Sequence, residues 1–372
     1  MTTEVAVAGR EAGHRHAEFH SLRVSEIELL TDDAVAISFD VPPELAEAYD
    51  FEAGQHLAIR SPVVGDDVRR NYSICAPAGA GLLRVAVKRL SGGAFSRFVA
   101  GTLRVGDELE VMTPTGRFTT TFDRTQRKHY VAVAAGSGIT PVLSLLATAL
   151  RVEPESRFTL LYGNRTTKSI MFLEELEDLK NTYPERLHLV HVLSREEPDV
   201  ELFHGRLDRD RLARILAALV PVADVDAWFL CGPYDMVVGG RQLLVDRGVE
   251  KRKIHAELFF VGDIPPTSQP PPSAAAADTT ASAVTVVLDG RRTSFDLAPD
   301  GGSVLDAVLR ERSDAPFACK GGVCGTCRAK IIEGEVEMTQ NWALEDDEVE
   351  RGYVLTCQSH PTTPRVVLDY DA

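Results

Sequence analysis

The stretch Cys319-Lys-Gly-Gly-Val-Cys324-Gly-Thr-Cys327 places three cysteines at the spacing C-x4-C-x2-C, and Cys357 follows after 29 intervening residues. This spacing is typical of plant-type 2Fe–2S sites. Thiolates are soft donors that suit iron, and a two-iron cluster takes four of them. The glycines between the cysteines allow backbone N–H groups to point at the sulfur atoms. We therefore predict a 2Fe–2S cluster ligated by Cys319, Cys324, Cys327 and Cys357.

Other kinds of site fit these cysteines less well. A structural zinc site usually has two C-x2-C knuckles, and this stretch has one. A dithiol redox motif would leave Cys319 and Cys357 without a role. A c-type haem needs a histidine directly after the last cysteine of its motif, where Arg328 stands.

The segment around this loop is predicted to be a separate domain, residues 284–372. It opens with a strand, a turn and a strand (VTVVLDGRRTSFDL), and a short helix (SVLDAVLRER) precedes the cysteines. Residues 265–283 are rich in proline, alanine and serine and hold one charge, which predicts a semi-extended linker. Such a linker would let the domain dock alternately on the rest of the chain and on a partner.

Two further units precede the linker. Residues 18–125 contain short β-branched segments separated by turn residues, which favours an antiparallel barrel or sandwich. Residues 126–264 alternate continuous apolar strands with helical stretches, which favours a parallel sheet covered on both faces. Residues 1–17 are expected to form a flexible tail.

The second unit contains two turns that suit a dinucleotide. The string AAGSGITP (134–141) follows an apolar strand and opens a helix, so its backbone N–H groups can bind a phosphate. Pro141 replaces the third glycine of G-x-G-x-x-G, and proline is well tolerated at a first helical position. Cys231-Gly232-Pro233 ends another apolar strand, at the edge where ligands bind in open parallel sheets. Either turn alone is weak evidence, since strand–helix turns often contain glycine for geometry only.

The residues after the next two strands bear on the choice of nucleotide. Arg165 follows one strand, Ser194 and Arg195 follow the other, and Arg206 lies a little further on. The acidic residue that would bind the ribose 2′-hydroxyl of NADH is missing, and basic and hydroxyl groups favour the 2′-phosphate of NADPH. Solvated arginines are the alternative interpretation, and two glutamates adjoin Arg195.

The first unit contains a motif that suits a flavin. Arg70 can pair with a phosphate, the ring of Tyr72 can cover an isoalloxazine, and the Ser73 hydroxyl can hydrogen-bond the ring nitrogens. The pair Gly92-Gly93 precedes a helical stretch and forms a second anion-binding turn. Each string is short, and its weight comes from the order in which the strings follow one another.

In that order, RRNYSIC (69–75), GGAFS (92–96), AAGSGITP, CGP (231–233) and the cysteine motif, the chain resembles ferredoxin–NADP reductase-like flavoproteins with a C-terminal plant-type ferredoxin domain. The resemblance implies a multidomain protein. Its parts would be an antiparallel β-barrel flavin domain (18–125), an α/β parallel-sheet nucleotide domain (126–264) and an α+β β-grasp ferredoxin domain (284–372). It also implies that electrons pass from NADPH to FAD, then to the 2Fe–2S cluster, and then to a diiron, multisubunit oxygenase component.

The same resemblance assigns residues to the sites. The flavin site would comprise Arg70, Tyr72, Ser73, Val87, Lys88, Gly93, Phe95 and Ser96. With the strand-end residues above, the candidate nucleotide site comprises Gly136, Gly138, Thr140, Pro141, Arg165, Ser194, Arg195, Arg206, Cys231, Gly232 and Pro233. Ser73 and Cys231 are the expected catalytic residues, with Cys231 near the nicotinamide, and Phe259 is expected near the flavin.

Composition limits the possible partners. The 372 residues carry 40 basic and 55 acidic side chains, a formal net charge of −15, so binding to nucleic acid or to anionic lipid is not expected. The chain shows no apolar run of about 18 residues and no signal-peptide pattern, which favours a cytoplasmic protein with reduced thiols. The acidic stretch 345–348 is expected to steer docking onto a basic partner, with a solvated helix face as the alternative.

Two alternative functions stay open at this level. In the first, the chain is the reductase of an oxygenase that acts on steroids or aromatic compounds. In the second, it senses redox state through a bound cluster without turnover. The first shares all the cofactor motifs, because substrate specificity lies in the partner. The second predicts slow NADPH-dependent reduction of an artificial acceptor such as ferricyanide.

Overall fold

In the computed structural model, three units, each built on its own sheet, follow one another along the chain. The described residues are 18–65, 69–90, 92–259, 281–298, 301–312 and 314–372. The predicted tail and residues 265–280 of the predicted linker lie outside the described residues.

The first unit is an antiparallel barrel. Its six strands are β1 (Phe19–Thr31), β2 (Ala34–Asp40), β3 (His56–Arg60), β4 (Arg69–Ser73), β5 (Leu83–Lys88) and β6 (Glu108–Met112). They pair in the order β4-β3-β6-β1-β2-β5. A bridge between Ile74 and Val85 joins the two edges, so the sheet closes on itself, and Leu22, Leu57 and Val85 are fully buried inside. Helix α1 (Ala94–Gly101) covers one end through the buried side chain of Phe95.

The second unit is a parallel sheet between two layers of helices. Its strands are β7 (His129–Ala135), β8 (Arg157–Asn164), β9 (Leu187–Leu193), β10 (Ala227–Gly232) and β11 (Ile254–Leu258), and its helices are α2 (Ile139–Val152), α3 (Leu173–Thr182), α4 (Arg209–Leu219) and α5 (Tyr234–Asp246). The strand order is β11-β10-β7-β8-β9. Helices α2 and α3 pack with one apolar cluster and α4 and α5 with another, so the central strands are buried on both faces. This explains their continuous apolar sequences.

The third unit has the mixed sheet of a β-grasp ferredoxin fold. Its elements are β12 (Ser282–Leu288), β13 (Arg291–Leu297), α6 (Val304–Glu311), β14 (Arg328–Glu333), β15 (Val336–Met338), α7 (Asp346–Glu350), β16 (Tyr353–Leu355), β17 (Ser359–Pro361) and β18 (Arg365–Asp369). The main sheet has the order β13-β12-β18-β14-β16, with β12 and β18 parallel. Strand β12 begins at Ser282, slightly before the predicted domain start at 284.

The barrel and the parallel sheet share one apolar core. The ring of Phe118 lies edge-on to that of Phe229, with centroids 5.5 Å apart. The Ser144 hydroxyl on α2 donates to the backbone oxygen of Ala76 at 2.6 Å. The two units therefore meet along a packed interface that brings the end of β4 close to the carboxyl edge of the parallel sheet.

The acidic stretch 345–348 faces the chain itself. Glu345 pairs with Arg241, Glu348 with Arg117, and the Asp346 carboxylate accepts from the Lys251 ammonium at 2.7 Å. The charge pattern predicts that this stretch docks onto a basic partner. In the structure, the basic side chains that contact it belong to the first two units of the same chain. The ion pairs hold the third unit against them. None of the described helices has both the length and the apolar surface needed to cross a lipid bilayer.

Candidate functional site

The candidate flavin residues surround the end of strand β4. Successive side chains of a strand point to opposite faces, so Arg70 and Tyr72 lie on the same face. The ring of Tyr72 lies 5.6 Å from that of Phe95 at the start of α1. Ser73 ends the strand and is 3% exposed. The structure thus brings the β4 motif and the start of α1 together, as a flavin site requires.

The remaining candidate flavin residues shape the turn before α1. Ser96 is buried; its hydroxyl accepts from the Leu90 backbone N–H at 3.1 Å and donates to the Gly93 oxygen. Val87 is buried in β5, and the Lys88 ammonium lies 3.5 Å from the Asp33 carboxylate. Ser96 therefore fixes the turn, and Lys88 already has an anionic partner within the barrel.

The two nucleotide turns are in direct contact. Gly136–Gly138 form a single helical turn before α2, and Pro141 lies in the first turn of that helix. A Cβ on Gly138 would lie 2.2 Å from the Cys231 backbone oxygen, so only glycine allows this approach. Thr140 is 1% exposed, and its hydroxyl donates to the Ser137 oxygen at 3.0 Å.

The second turn also contacts the end of the sheet. The Phe259 backbone N–H donates to the Gly232 oxygen at 2.9 Å, and Phe259 packs against the core shared by the first two units. Pro233 immediately precedes α5 with an extended backbone, and it makes no side-chain cap to the helix. Phe259 therefore lies beside the turn that contains Cys231, and its expected place near the flavin stays a prediction.

Glu257 lies between the two expected catalytic residues and was not identified from the sequence. The Cys231 thiol donates to the Glu257 carboxylate at 3.9 Å, and the Glu257 side chain is also hydrogen-bonded to Ser73. Protein atoms enclose most of the Glu257 carboxyl, and its remaining side faces a crevice. Because burial disfavours the charged form, the pKa of Glu257 is raised to about 8. Ser73, Cys231 and Glu257 thus form a hydrogen-bonded set that holds a proton at neutral pH.

The sequence contained a signal for Glu257. It is an acidic residue inside the otherwise apolar segment at the end of the second unit, close before the aromatic residue assigned near the flavin. A charged residue within a strand of the core is unusual unless it is paired or functional.

The raised pKa predicts a specific pH dependence of stability. The folded chain holds a proton on Glu257 that the unfolded chain releases near pH 4.5, so the stabilising contribution is complete below about 4.5 and is lost as pH rises through about 8. We expect the melting temperature to fall by roughly 5 °C more between pH 6 and pH 9 in the native protein than in Glu257→Gln. The exposed Glu250→Gln variant is the control, and calorimetry at both pH values is the measurement. Equal shifts in all three proteins would contradict the prediction.

Three candidate arginines share the carboxyl edge of the sheet. The Gly205 N–H donates to the Leu193 oxygen at 2.8 Å, which brings Arg206 to the ends of β8 and β9. The Arg195 N–H donates to the Arg165 oxygen at 2.8 Å. All three guanidinium groups are exposed, and none has an ion-pair partner within the described part of the chain.

Two neighbours of these arginines complete the edge. The Ser194 N–H donates to the Asn164 oxygen at 3.0 Å, which fixes Ser194 beside Arg165. The carboxylate of Glu196 accepts from the Thr167 backbone N–H at 2.7 Å and from its hydroxyl at 3.0 Å. Glu196, one of the two glutamates that follow Arg195, is therefore engaged by Thr167.

The four motif cysteines lie as two pairs. Cys319 is hydrogen-bonded to Cys324, and Cys327 to Cys357. No three His, Cys, Asp or Glu side chains in the described ranges converge on one point that would hold a single metal ion. Two pairs of thiols are the donor set that a two-iron cluster needs, since each iron takes two cysteines. The residues present therefore fit a 2Fe–2S group.

The loop that carries the cysteines turns its backbone N–H groups toward sulfur. The pKa of Cys319 is lowered to about 6 by a hydrogen bond from Cys324, although burial opposes this, and by N–H groups that include that of Gly321. Lys320 has φ of 50° and Gly322 has φ of 73°, left-handed values that fold the loop tightly around the thiols. Cys319 is exposed and Cys327 is buried, so one edge of the site faces solvent.

A crevice lies between Glu257 and the cluster cysteine Cys324. It has a volume of about 810 Å³ and is lined by side chains of all three units, including His56, Phe118, Glu257 and Cys324. The acid of the Ser73–Cys231–Glu257 set and one cluster cysteine therefore face the same space. This arrangement suits electron transfer between two groups bound at its ends.

Family models match the three units in turn. The oxidoreductase FAD-binding domain matches residues 21–120, the oxidoreductase NAD-binding domain residues 132–242, and the 2Fe-2S iron-sulfur cluster binding domain residues 286–362. The expected cofactors, FAD, a nicotinamide nucleotide and a 2Fe–2S cluster, are confirmed at this level, as is the multidomain fold.

Curated relatives match nearly the whole chain. It is 45% identical over 354 residues to a protein of Escherichia coli (strain K12) named as a component of 1,2-phenylacetyl-CoA epoxidase, with 95% of this chain and 98% of that protein covered. It is 34% identical over 353 residues to the ferredoxin reductase component of 3-ketosteroid-9-alpha-monooxygenase from Rhodococcus rhodochrous, covering 94% and 96%. Among solved structures, phthalate dioxygenase reductase shares the fold, with a TM-score of 0.56, 24% identity and coverage of 94% and 98%.

These matches agree with the finer resemblance of the local strings FHSLRV (19–24), GQHL (54–57) and GYVLTCQ (352–358) to the reductase component of ring-1,2-phenylacetyl-CoA epoxidase. They also remove the alternative of a redox sensor without turnover, because the relatives are components of oxygenase systems. The chain belongs to the family of FAD- and 2Fe–2S-containing oxygenase reductases, NAD(P)H-dependent oxidoreductases that pass electrons to an oxygenase component.

Proposed function

We propose that this reductase takes electrons from NADPH and delivers them to a diiron, multisubunit oxygenase that epoxidises the ring of phenylacetyl-CoA. The observation that supports this partner best is the 45% identity, over 98% of its length, to a component of an epoxidase with that substrate in its name. A steroid monooxygenase is the second candidate, at 34% identity to its reductase component. The three cofactor sites serve both candidates equally.

When bound, the flavin supplies the conversion between a two-electron donor and a one-electron cluster. The residues of the chain supply its position. Arg70 and Tyr72 hold the flavin on one face of β4, and the turn fixed by Ser96 closes the site. Gly138 allows the nucleotide turn to approach Cys231. Ser73, Cys231 and Glu257 orient the reacting rings and keep a proton on the Glu257 carboxyl, which faces the crevice.

The partner is tested by reconstitution. The purified holoprotein is mixed with the oxygenase subunits of a phenylacetyl-CoA epoxidase or with a 3-ketosteroid hydroxylase, each with its substrate, and substrate-dependent NADPH consumption is measured. We expect coupled product formation with phenylacetyl-CoA and only uncoupled oxidation with the steroid system. Efficient coupling to the steroid hydroxylase alone would overturn the assignment. Reduction of ferricyanide measures the flavin step separately in every mixture.

We propose that Arg165, Arg195 and Arg206, with Ser194, bind the 2′-phosphate of NADPH. In Arg195→Gln we expect kcat/KM with NADPH to fall about 10–100-fold, the loss of one charge-assisted bond, while kcat/KM with NADH stays the same. Arg157→Gln, at the opposite end of β8, is the matched control. Parallel losses with both nucleotides, or none with either, would refute the phosphate role.

We further propose that residues 265–283 let the ferredoxin domain (284–372) alternate between the docked position and the oxygenase. The ion pairs of stretch 345–348 stabilise the docked position. Screening of these charges by salt, or a competing basic surface on the oxygenase, would release the domain. A reducing cytoplasm fits this proposal, because the cluster cysteines must be thiolates to bind iron.

A further inference from the structure

Strand β4 presents two different surfaces. Arg70 and Tyr72 lie on the face assigned to the flavin, and Tyr72 packs toward the core of the barrel. Because side chains alternate along a strand, Arg69 and Asn71 point the other way. That second face also carries Ser73 at the end of the strand, and at Arg69 and Asn71 it meets the ferredoxin domain.

Arg69 connects the barrel to the chain segment that leads into the cysteines. It is only 4% exposed. Its guanidinium carbon lies 4.0 Å from the centroid of the Phe317 ring and 5.1 Å from that of Phe19, and its Nη1 donates to the Ala315 oxygen at 3.4 Å. A cation between aromatic faces is attracted most strongly where water is excluded. Arg69 therefore holds the segment before Cys319 against the barrel.

Asn71 reaches the other end of the same loop. Its Nδ2 lies 3.5 Å from the Thr326 hydroxyl, and Thr326 stands between Cys324 and Cys327. The same Nδ2 lies 3.1 Å from Nε2 of the buried His56. One strand thus contacts both ends of residues 315–327, which we call the cluster loop.

Apolar contacts fill the space between these two polar contacts. Ala58 and Met112 of the barrel pack with Ala318, and Phe19 and Cys324 lie against this group. Ala58 is paired with Asn71 across β3 and β4. The contact between barrel and cluster loop is therefore apolar at its centre, with Arg69 at one end and Asn71 at the other.

We propose that Arg69 and Asn71 are positioning residues that hold the cluster loop against the back of the flavin-binding strand and so set the rate of electron transfer from flavin to cluster. The flavin motif and the loop contacts alternate on a five-residue strand, so the positions of the two cofactors are linked through one rigid element. Small displacements of reacting groups cost large factors in rate. The inference rests on the electron route proposed above.

The test compares the holoprotein with Arg69→Gln and Asn71→Leu. Arg23→Gln, which removes an exposed ion pair within the barrel, is the matched control. We expect NADPH-dependent ferricyanide reduction per bound flavin to stay within about twofold, and single-turnover cluster reduction per bound cluster to slow by at least about tenfold in both variants. Hydrogen–deuterium exchange of the cluster loop should increase in both variants and stay unchanged in the control. Arg69→Lys should be intermediate, since it keeps the charge but loses the planar fork.

Several results would overturn the proposal. Unchanged cluster reduction in both variants would show that the contacts do not set the rate. Slower transfer with unchanged exchange would show that the residues do not act by holding the loop. Equal slowing of ferricyanide reduction would indicate damage to the flavin site. A native protein unable to reduce ferricyanide or to bind iron would instead contradict the proposed function itself.

Discussion

Replacing Cys324 with serine is expected to abolish electron delivery to the oxygenase and to leave ferricyanide reduction by the flavin intact. Cys324 pairs with Cys319 and faces the crevice between flavin and cluster regions. A serine hydroxyl is a poor ligand for iron compared with a thiolate. The loss should exceed the roughly 10–100-fold effect of changes outside the ligand set. Iron and sulfide content, coupled NADPH oxidation and ferricyanide reduction are the measurements.

Cys75→Ser provides the control for this experiment. Cys75 is likewise a free cysteine, but it is buried and lies in the first unit, where its thiol donates to the Arg84 oxygen. Serine keeps a donor at that position, so iron content and coupled turnover should stay near native. If Cys324→Ser retained both iron and coupled turnover, the cluster assignment would be wrong. If it lost ferricyanide reduction as well, flavin and cluster would not be separable steps.

Gly138→Ala is expected to lower kcat/KM for NADPH by about 100-fold or more. The new Cβ would lie 2.2 Å from the Cys231 oxygen and 2.9 Å from the Gly232 nitrogen. Both are backbone atoms, so no side chain can move aside, and the two nucleotide turns must separate. A displacement of this size in a binding site costs about two orders of magnitude in rate. Stopped-flow measurement of flavin reduction by NADPH gives the result.

Gly136→Ala is the matched control for that substitution. Gly136 has φ of 55°, but an added Cβ would have no atom within 4 Å among the described residues. This variant should be destabilised by only about 1–2 kcal/mol, the cost of a left-handed backbone for alanine. It should keep more activity than Gly138→Ala. Photochemical reduction of the flavin, which needs no nucleotide, should be native in both variants. Similar kinetics in the two alanine variants would show that the contact with Cys231 is unimportant.

The sequence predicted the elements that depend on local pattern. Thiolate chemistry restricts what the spacing of Cys319, Cys324 and Cys327 can bind, and the continuous apolar strands of the second unit predicted burial on both faces. The glycine of the nucleotide turn was identified from its place between strand and helix. Position 138 must be glycine because it contacts Cys231. Only the structure shows this contact, because the two residues are far apart in the chain.

Glu257 shows why part of the site was missed. Its role depends on Ser73 and Cys231, which come from two other strands in two different units. The contacts that the acidic stretch 345–348 makes within the chain could not be predicted for a related reason. Composition revealed its charge, but only the positions of Arg117, Arg241 and Lys251 showed that the basic surface lies on the same chain.

The sequence by itself determined the cofactor chemistry and the order of the domains, because ligand type, spacing and periodicity are local properties. The tertiary structure decided how the cofactor sites meet. It placed Glu257 in contact with Ser73 and Cys231, docked the ferredoxin domain through its acidic stretch, and set Arg69 and Asn71 against the cluster loop. The physical reason is that a contact between distant segments depends on how packed units fit together, which no local spacing encodes.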